Sequence, residues 1–367
     1  GMIVFSILLS IVYAGMITGI FLASVEPSGR KSKSALGSKR FSIVVAARNE
    51  AHNIAACVQS LLNQQYPTHQ FEVIVVDDHS TDGTFEIISS IAGIRALSLT
   101  EGQGKKAALA LGISEAKFEI IATTDADCVV GPLWLSSLSR QFQNSGADLL
   151  TGPVKISPCD STVSAFEAMD AAIMMKVTAA GIRQRLYFLA NGANLAFTKK
   201  AYEEIGGYKS HIHHASGDDV FFYAEAARHK KRIDYVADQE AIVTTLPQPG
   251  WRQLLEQRKR WATKTRAYAG SAIWMVQATV AITHAALLLM LFVALFLPKA
   301  GMGALIILST KWVVDFIALW KATGWQNNRP ALRFFIQGQI IYLYIILYSA
   351  WYALFPGEYK WKERGVR

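Results

Sequence analysis

The chain has few cysteines and long stretches without any charged residue. Cys57, Cys128 and Cys159 show no metal-ligand spacing, and this odd, sparse set argues against a disulfide framework and fits a reducing compartment. No internal repeat and no RNA- or DNA-binding motif is evident in the 367 residues. The formal charge of +9 therefore favours an anionic membrane surface as a partner, and no nucleic acid is expected.

The uncharged stretch at residues 2–25 is long enough to cross a membrane as a helix. A signal peptide is the alternative, but it would need a basic residue ahead of the apolar stretch, and the first one is Arg30. Residues 26–40 predict a flexible, basic linker. The positive-inside rule then predicts an integral protein of the inner (plasma) membrane whose following domain is cytoplasmic.

Residues 41–250 alternate between patterns that are typical of strands and of helices. Apolar, β-branched runs at residues 41–46, 71–76 and 118–123 predict buried parallel strands. The segments between them carry apolar residues at helical spacing. The pattern predicts an α/β domain in which helices cover both faces of a sheet.

Four acidic residues stand where two of these strands end. Asp77 and Asp78 follow one strand, and Asp125 and Asp127 follow another, so all four are expected at the ligand-binding edge of the sheet. Because alternate residues of an extended chain point to the same side, Asp125 and Asp127 can converge on one point. Such a pair suits a hard divalent cation that keeps positions open for phosphate oxygens. An Asp-rich turn without a metal is the alternative.

The C-terminal third is rich in apolar and basic segments. Residues 251–272 predict an interfacial helix, and residues 273–356 hold three further apolar segments, the middle one with a Lys and an Asp four residues apart. The loop at 321–333 and the tail at 357–367 are both basic and are both predicted to be cytoplasmic. Both cannot be, if the last segment crosses fully: either that segment is re-entrant or interfacial, or the tail breaks the rule.

The motifs of this chain resemble those of glycosyltransferase family 2, in its membrane-anchored branch, over about residues 41–261. Six elements stand in the family's order: VVAARNE at 44–50, VVDDHSTDGT at 75–84, GQGKKAAL at 102–109, DAD at 125–127, SGDD at 216–219 and QRKRW at 257–261. The resemblance implies a GT-A fold, an α/β nucleotide-diphospho-sugar transferase domain with a mixed, mainly parallel sheet, together with transmembrane helices. The chain departs from the family at Asp218, where Glu is frequent.

The resemblance implies that the D-x-D element holds Mg²⁺ or Mn²⁺. Asp127 is the expected direct ligand, and Asp125 either joins it or contacts the ribose or a metal-bound water. The donor would be a nucleotide-diphosphate sugar, with a UDP-sugar expected first. The metal would neutralise the charge that builds on the leaving phosphate.

Further donor contacts follow from the same resemblance. Asp77 or Asp78 would accept hydrogen bonds from the base or ribose. Arg48 and Glu50 would line the base pocket, which Ala47 would approach through its backbone. Helix-capping or turn chemistry is the alternative for the aspartates, and it is the reading that we prefer for Asp82, the expected N-cap of a helix over residues 84–91.

A Gly-Lys pair and an Asp pair complete the expected site. Lys105, which follows Gly104, would reach the nucleotide or its phosphates, whereas Lys106 is predicted to lie on the surface. Asp219, with Asp218 beside it, is the expected general base for the acceptor hydroxyl. The alternative is that both aspartates only cap the helix that follows. A single base and no evident carboxylate nucleophile imply inversion.

Gln257, Arg260 and Trp261 lie on the predicted interfacial helix. The resemblance puts them at the acceptor and the pyrophosphate, where Arg260 would act in catalysis by binding phosphate oxygens. A basic aromatic belt without a catalytic part is the alternative. Arg258 and Lys259 are expected to face lipid headgroups.

The expected activity is an inverting, metal-dependent transfer of a sugar to a lipid or lipid-linked glycan at the cytoplasmic face of the membrane, in contact with membrane lipids. A processive polysaccharide synthase of the same family is the first alternative. The second is a catalytically inactive, membrane-tethered module that binds nucleotide sugars. The histidines at 211, 213 and 214 predict an acceptor loop rather than a metal site.

Overall fold

The computed structural model describes residues 1–24, 39–186, 189–208, 218–268, 271–355, 359–361 and 364–366. Most of the predicted basic linker, the stretch with the three histidines and much of the basic tail lie outside these residues. The chain divides into two compact units. The α/β unit consists of Glu26–Lys155 and Phe188–Leu246, and the helical unit of Gly1–Val25, Ile156–Tyr187 and Pro247–Arg367.

The elements are numbered along the chain. The helices are α1 (Met2–Ser24), α2 (Ile54–Leu62), α3 (Thr84–Ser90), α4 (Lys105–Ser114), α5 (Trp134–Ser145), α6 (Thr162–Arg183), α7 (Lys199–Glu204), α8 (Asp218–Arg228), α9 (Trp251–Tyr268), α10 (Ser271–Ala294), α11 (Pro298–Trp325) and α12 (Phe335–Leu354). The strands are β1 (Phe41–Ala47), β2 (Phe71–Asp77), β3 (Arg95–Ser98), β4 (Ile120–Asp125), β5 (Cys128–Val130), β6 (Leu149–Thr151), β7 (Val154–Ile156), β8 (Leu195–Thr198), β9 (Ile233–Tyr235), β10 (Val243–Thr245), β11 (Tyr359–Trp361) and β12 (Arg364–Val366).

The central sheet has the strand order β3-β2-β1-β4-β8-β6-β9. β1 pairs in parallel with β2 and with β4, and the pairs β2–β3 and β6–β9 are parallel as well. β8 runs antiparallel to β4 and to β6. The predicted mixed, mainly parallel sheet is therefore confirmed. β1 is apolar at nearly every position because both of its faces are covered.

The smaller sheet has the strand order β5-β10-β7, with β5 antiparallel to β10. β3 and β5, with four and three residues, are too short to show a strand pattern in the sequence. The apolar pattern of residues 148–155 predicts one strand, but the structure has two, β6 and β7, since Gly152-Pro153 interrupts the ladder. Apolar residues at helical spacing predict a helix over residues 50–64, but α2 begins only at Ile54, after a turn that Asn49 enters with a φ of 52°.

Asn194 is a fully buried polar side chain at the start of β8. Its Oδ1 accepts a hydrogen bond from Nε1 of Trp134 at 3.0 Å, and its Nδ2 donates to the carbonyl oxygens of Pro153 and Ala241, both at 2.8 Å. This amide therefore joins four segments of the α/β unit through side-chain hydrogen bonds.

Asn194→Ala is expected to destabilise the protein by about 3 kcal/mol, because it leaves a buried indole N–H and buried carbonyl oxygens without partners. Urea unfolding followed by tryptophan fluorescence measures the change. Asn144→Ala, at an exposed position of α5, is the control and should change the stability by less than about 0.5 kcal/mol. Equal effects of the two substitutions would contradict the role assigned to Asn194.

Among the residues that the structure describes, four helices of the helical unit are long and apolar enough to cross a membrane: Met2–Ser24, Ala272–Ala294, Pro298–Trp325 and Arg329–Leu354. α1 packs along α11 in the same chain direction, with the hydroxyl of Tyr13 donating to Asp315 at 2.6 Å. Lys311 pairs with Asp315 at 2.6 Å and also donates to Gln339 of α12. The Lys and Asp four residues apart thus neutralise each other among neighbouring helices, as predicted.

An ion pair joins α6 and α9 of this unit. The expectation that Arg258 faces lipid headgroups is wrong: its side chain is only 8% exposed, and its guanidinium lies 2.8 Å from the carboxylate of Asp170 on α6. The sequence of α9 gives no sign of this because the partner lies in a distant segment. Lys259, the next residue, extends its ammonium over the ring of Tyr352 at 4.9 Å.

Candidate active site

The carboxyl ends of β1, β2 and β4 meet at one edge of the central sheet. Ala47 is in register with Asp77 on one side of β1, and Ala46 with Asp125 on the other. The strand order reverses at β1 and β4, which is where open α/β sheets bind ligands. The structure thus brings together the two acidic pairs that the sequence places at strand ends.

Asp78 is buried and gathers donors from three segments. Its Oδ1 accepts the backbone N–H of Gly104 at 3.0 Å and lies 3.1 Å from Nδ1 of His79, and its Oδ2 lies 3.7 Å from the guanidinium of Arg48. Gly104 has a φ of 94°, which favours glycine at this close approach. Asp78 therefore fixes the Gly-Lys segment and Arg48 at the end of β2.

Asp77 keeps one acceptor available. Its Oδ2 accepts the N–H of Ser80 at 3.1 Å. Its Oδ1 is buried and accepts no hydrogen bond from the residues that the structure describes. A buried carboxylate oxygen in this state is costly, so it is suited to a donor from a bound molecule or water.

The D-x-D element lies between β4 and β5. Ligand atoms of Asp125, Asp127 and Cys128 all lie within 4.8 Å of one another. The Cys128 thiol donates to Oδ1 of Asp127 at 3.4 Å, and the buried Cys57 thiol donates to the backbone oxygen of Asp125 at 3.5 Å. The spacing of the three cysteines indicates neither of these thiol contacts. In the sequence, only the adjacency of Cys128 to Asp127 indicates the first of them.

Negative charge concentrates at Asp127. Burial first, and then the charges of Asp125 and Glu50, raise the pKa of Asp127 to about 6. Lys105 offsets part of this charge, with its ammonium 2.6 Å from Oδ1 of Asp125. A half-buried pair of carboxylates that repel each other fits a hard divalent cation such as Mg²⁺ or Mn²⁺.

Glu50 has a wider electrostatic role than the base-pocket position predicted for it. Its charge raises the pKa of Asp127 and that of the Cys57 thiol. Its Oε2 accepts the Asn53 amide at 3.0 Å, and its N–H donates to Thr84 at 2.9 Å. The loop after β1 therefore adds negative charge near the D-x-D element, and no local pattern in the sequence indicates this.

Asp82 has the local role predicted for it, although it is not the N-cap itself. The N-cap of α3 is Gly83, and Asp82 accepts the N–H of Thr84 at 3.1 Å. Its other oxygen accepts the N–H of Ala51 at 3.0 Å. Asp82 thus joins the loops after β1 and β2.

Asp219 lies in the first turn of α8. Its Oδ2 accepts the N–H of Gly192 at 2.8 Å, and its Oδ1 accepts the N–H of Val220 at 2.8 Å. The second contact joins adjacent residues in the first turn of α8, and the first holds a loop. The side chain of Asp218 lies outside the part of the chain that the structure describes.

The loop held by Asp219 is also tied to β4. The hydroxyl of Thr124 donates to the carbonyl oxygen of Ala193 at 2.8 Å. Thr124 directly precedes Asp125, so this series of contacts links the carboxylate of Asp219 to the strand end that carries the D-x-D element.

Lys106 does not lie on the surface, contrary to the prediction. It is 8% exposed, and its ammonium lies over the ring of Phe221 on α8 at 5.8 Å. Consecutive residues of a helix diverge by about 100°. Lys105 therefore contacts Asp125 at the site while Lys106 packs against α8.

Gln257, Arg260 and Trp261 belong to α9 of the helical unit. The guanidinium of Arg258 lies 4.6 Å from the ring centre of Trp261, which is 44% exposed. This stacking fixes one face of the indole. The roles of the three motif residues at the acceptor and the pyrophosphate stay predictions.

Curated proteins with similar sequences include the following two. The chain is 30% identical to glycosyltransferase AglE of Haloferax volcanii over 189 residues, which are 50% of this chain and 60% of AglE. It is 38% identical to a beta-monoglucosyldiacylglycerol synthase of Nostoc sp. over 119 residues, which are 30% of this chain and 25% of that enzyme. The matches thus span less than two thirds of either relative.

A solved structure is similar along almost the whole chain. The mannosyltransferase PcManGT from Pyrobaculum calidifontis, in complex with GDP-Man and Mn²⁺, matches with a TM-score of 0.55 and 19% identity over 97% of this chain and 99% of that one. This likeness confirms the predicted fold class. Residues 42–206, which carry the acidic pairs and Lys105, match the family model "Glycosyl transferase family 2". This match covers less than half of the chain, so the likeness to the family holds for residues 42–206.

Proposed function

We propose that this protein is an inverting glycosyltransferase that uses Mg²⁺ or Mn²⁺ to move a sugar from a nucleotide-diphosphate donor to a lipid or lipid-linked glycan at the cytoplasmic face of the membrane. The observation that carries the proposal is the convergence of Asp77, Asp78, Asp125 and Lys105 at one sheet edge, within the residues that match the family 2 model.

The loops after β1 and β2 are suited to the nucleoside of the donor. Asp77 offers a buried oxygen that can accept from a base N–H or a ribose hydroxyl. Arg48, held by Asp78, and the backbone of Ala47 would flank the base, with Glu50 beside them. UDP-sugars are the first donors to test, and GDP-sugars the second.

Asp127, together with Asp125, would hold the divalent cation. When bound, the cation supplies neutralisation of the charge on the departing diphosphate. Lys105 lies beside Asp125 and can reach the phosphates by a rotation of its flexible side chain.

Asp219 would act as the general base. The acceptor hydroxyl oxygen forms a bond to the anomeric carbon of the sugar while its proton passes to the Asp219 carboxylate. The bond from that carbon to the phosphate oxygen breaks, and the nucleoside diphosphate leaves with the electron pair. The two backbone N–H groups on Asp219 orient its carboxylate for this transfer.

A membrane-borne acceptor is supported by the helical unit, which has four helices long and apolar enough to span a bilayer. The name of the Nostoc relative also refers to a diacylglycerol lipid. Gln257, Arg260 and Trp261 would contact the acceptor and the pyrophosphate, with Arg260 binding phosphate oxygens.

Thermal-shift measurements with a panel of nucleotide sugars, each with and without Mn²⁺ and Mg²⁺, test the proposal. One donor with its metal should raise the melting temperature by several degrees, because at about 100 times Kd a ligand adds about 2.7 kcal/mol. The same donor without a metal, and the metal with EDTA, are the controls. If no nucleotide sugar stabilises the protein, the proposal is wrong.

Product analysis separates the alternatives. Purified enzyme with labelled donor and a lipid extract should give one lipid-soluble product one sugar larger than its acceptor. A ladder of long products would indicate a processive synthase. Stabilisation by a donor without release of nucleoside diphosphate would indicate an inactive binding module.

A further inference from the structure

α12 packs against the helical unit in a way that differs between its two halves. Its first half contacts α10 and α11: Gln339 accepts from the ammonium of Lys311, and the ring of Tyr342 lies 5.4 Å from that of His284, edge to face. These contacts join the start of α12 to two of the apolar helices.

The second half of α12 runs along α9. Ile345 is buried together with Leu254. Two turns later, the ring of Tyr352 lies 4.9 Å from the ammonium of Lys259. Both pairs advance in the same chain direction, so the two helices lie side by side over this length.

α9 cannot lie in hydrocarbon. Its sequence, WRQLLEQRKRWATKTRAY, carries seven charged residues among 18. Charged side chains at the centre of a bilayer are costly. The half of α12 that accompanies α9 is therefore held at the level of α9, outside the hydrocarbon core. A 20-residue helix that crossed the bilayer would instead end about 30 Å away from its start along the membrane normal.

The exposed face of α12 is a narrow apolar stripe. Its members recur at spacings of four and seven residues and are 56–61% exposed: Ile336, Ile340, Tyr344, Trp351 and Phe355. Such spacings keep residues on one face of a helix. The opposite face, with Gly338, Gln339 and Ile345, is buried against the protein. An apolar stripe with aromatic residues is suited to the boundary between headgroups and acyl chains.

We propose that α12 does not cross the membrane, and that its stripe docks onto the lipid interface on the side where residues 321–333 lie. Positive charge supports docking on an anionic lipid surface. Arg329 and Arg333 are exposed just before α12, and Lys259 lies beside its end.

The loop at 321–333 and the segment after α12 then lie on the same side of the membrane, whichever reaction the protein catalyses. Within the described part of the chain, the membrane is then crossed by α1, α10 and α11, and both basic flanks obey the positive-inside rule.

Labelling of single added cysteines in sealed vesicles tests the sidedness. Asn327→Cys and a cysteine appended after Arg367 should react with a membrane-impermeant maleimide from the same side. Leu297→Cys, in the turn between α10 and α11, should react only from the other side. The unaltered chain, whose three cysteines are buried, gives the background. If the appended cysteine reacts together with position 297, α12 crosses and the proposal is overturned.

Spin-label depth measurements provide a second test that does not depend on the termini. Tyr344 lies on the exposed stripe of α12, and Leu291 is exposed on α10, seven residues beyond the His284 that contacts Tyr342. A nitroxide on Tyr344→Cys should lie about 5–10 Å below the headgroups, and one on Leu291→Cys about 10 Å deeper along α10. Equal depths would overturn the proposal. A label at 344 shielded from both oxygen and water-soluble relaxants would also overturn it, because it would indicate contact with a second copy of the chain.

Discussion

Asp127→Asn is expected to reduce transfer by about a thousandfold or more and to remove Mn²⁺ binding. The carboxylate would be lost from a site that gathers Asp125, Asp127 and Cys128 within 4.8 Å, and a bound metal contributes several kcal/mol of charge stabilisation in such reactions. Mn²⁺ affinity from the EPR signal of free Mn²⁺, together with the initial rate of donor turnover, measures both effects.

The same variant should be more stable than the parent when no metal is present. The pKa of Asp127 is raised to about 6 in the folded protein from 3.8, so ionisation disfavours the folded state. The stability of the parent therefore falls as pH rises through this window, whereas Asn stays neutral. At pH 7.5 without metal, the variant should melt roughly 2–4 °C higher, and near pH 4 the difference should vanish.

Added Mn²⁺ should reverse this order, because only the parent is stabilised by the metal. Asp160→Asn, at an exposed position outside the α/β unit, is the matched control and should leave rate, metal affinity and melting temperature unchanged. A variant that keeps Mn²⁺ affinity would show that Asp127 is not the ligand.

Asp219→Asn should lower the rate of transfer by about 10²- to 10⁴-fold while leaving donor affinity within a factor of about three, since a general base contributes to the transition state more than to binding. Asn retains one oxygen for the Gly192 N–H, so the loop should keep its position. Single-turnover rates and donor titrations separate the two quantities.

Two further variants distinguish chemistry from structure at this position. Asp219→Ala removes both hydrogen bonds and should add a loss of stability that the Asn variant does not show. Glu203→Gln, an exposed acid on α7, should have no effect on either quantity. Unimpaired turnover in Asp219→Asn would assign this residue to capping alone.

Much of the α/β unit could be predicted because its strands are indicated by patterns of neighbouring residues. The apolar runs at β1, β2 and β4 are continuous since both faces of each strand are buried. The acids that follow β2 and β4 then fall at one edge by the rules of parallel sheets. The pairing of Lys311 with Asp315 was likewise predictable, because four residues make one helical turn.

The remaining features depend on partners that are far apart in the sequence. Arg258 is buried in an ion pair with Asp170 of another helix, and Lys106 is buried with its ammonium over the ring of Phe221. Glu50 acts on Asp127 across a gap of 77 positions. Composition and periodicity do not indicate contacts between distant residues. From the sequence alone, these side chains are therefore predicted to lie on the surface or in another part of the site.

The ion pair between Lys105 and Asp125 implies competition. The ammonium of Lys105, 2.6 Å from the carboxylate of Asp125, occupies the position that a metal ion bound to this oxygen would take. The metal ion must therefore displace the ammonium. A diphosphate offers the released ammonium a new anionic partner. Metal and donor should therefore bind synergistically, each increasing the affinity for the other by the same factor, and the resting site would resist loading by a free cation alone.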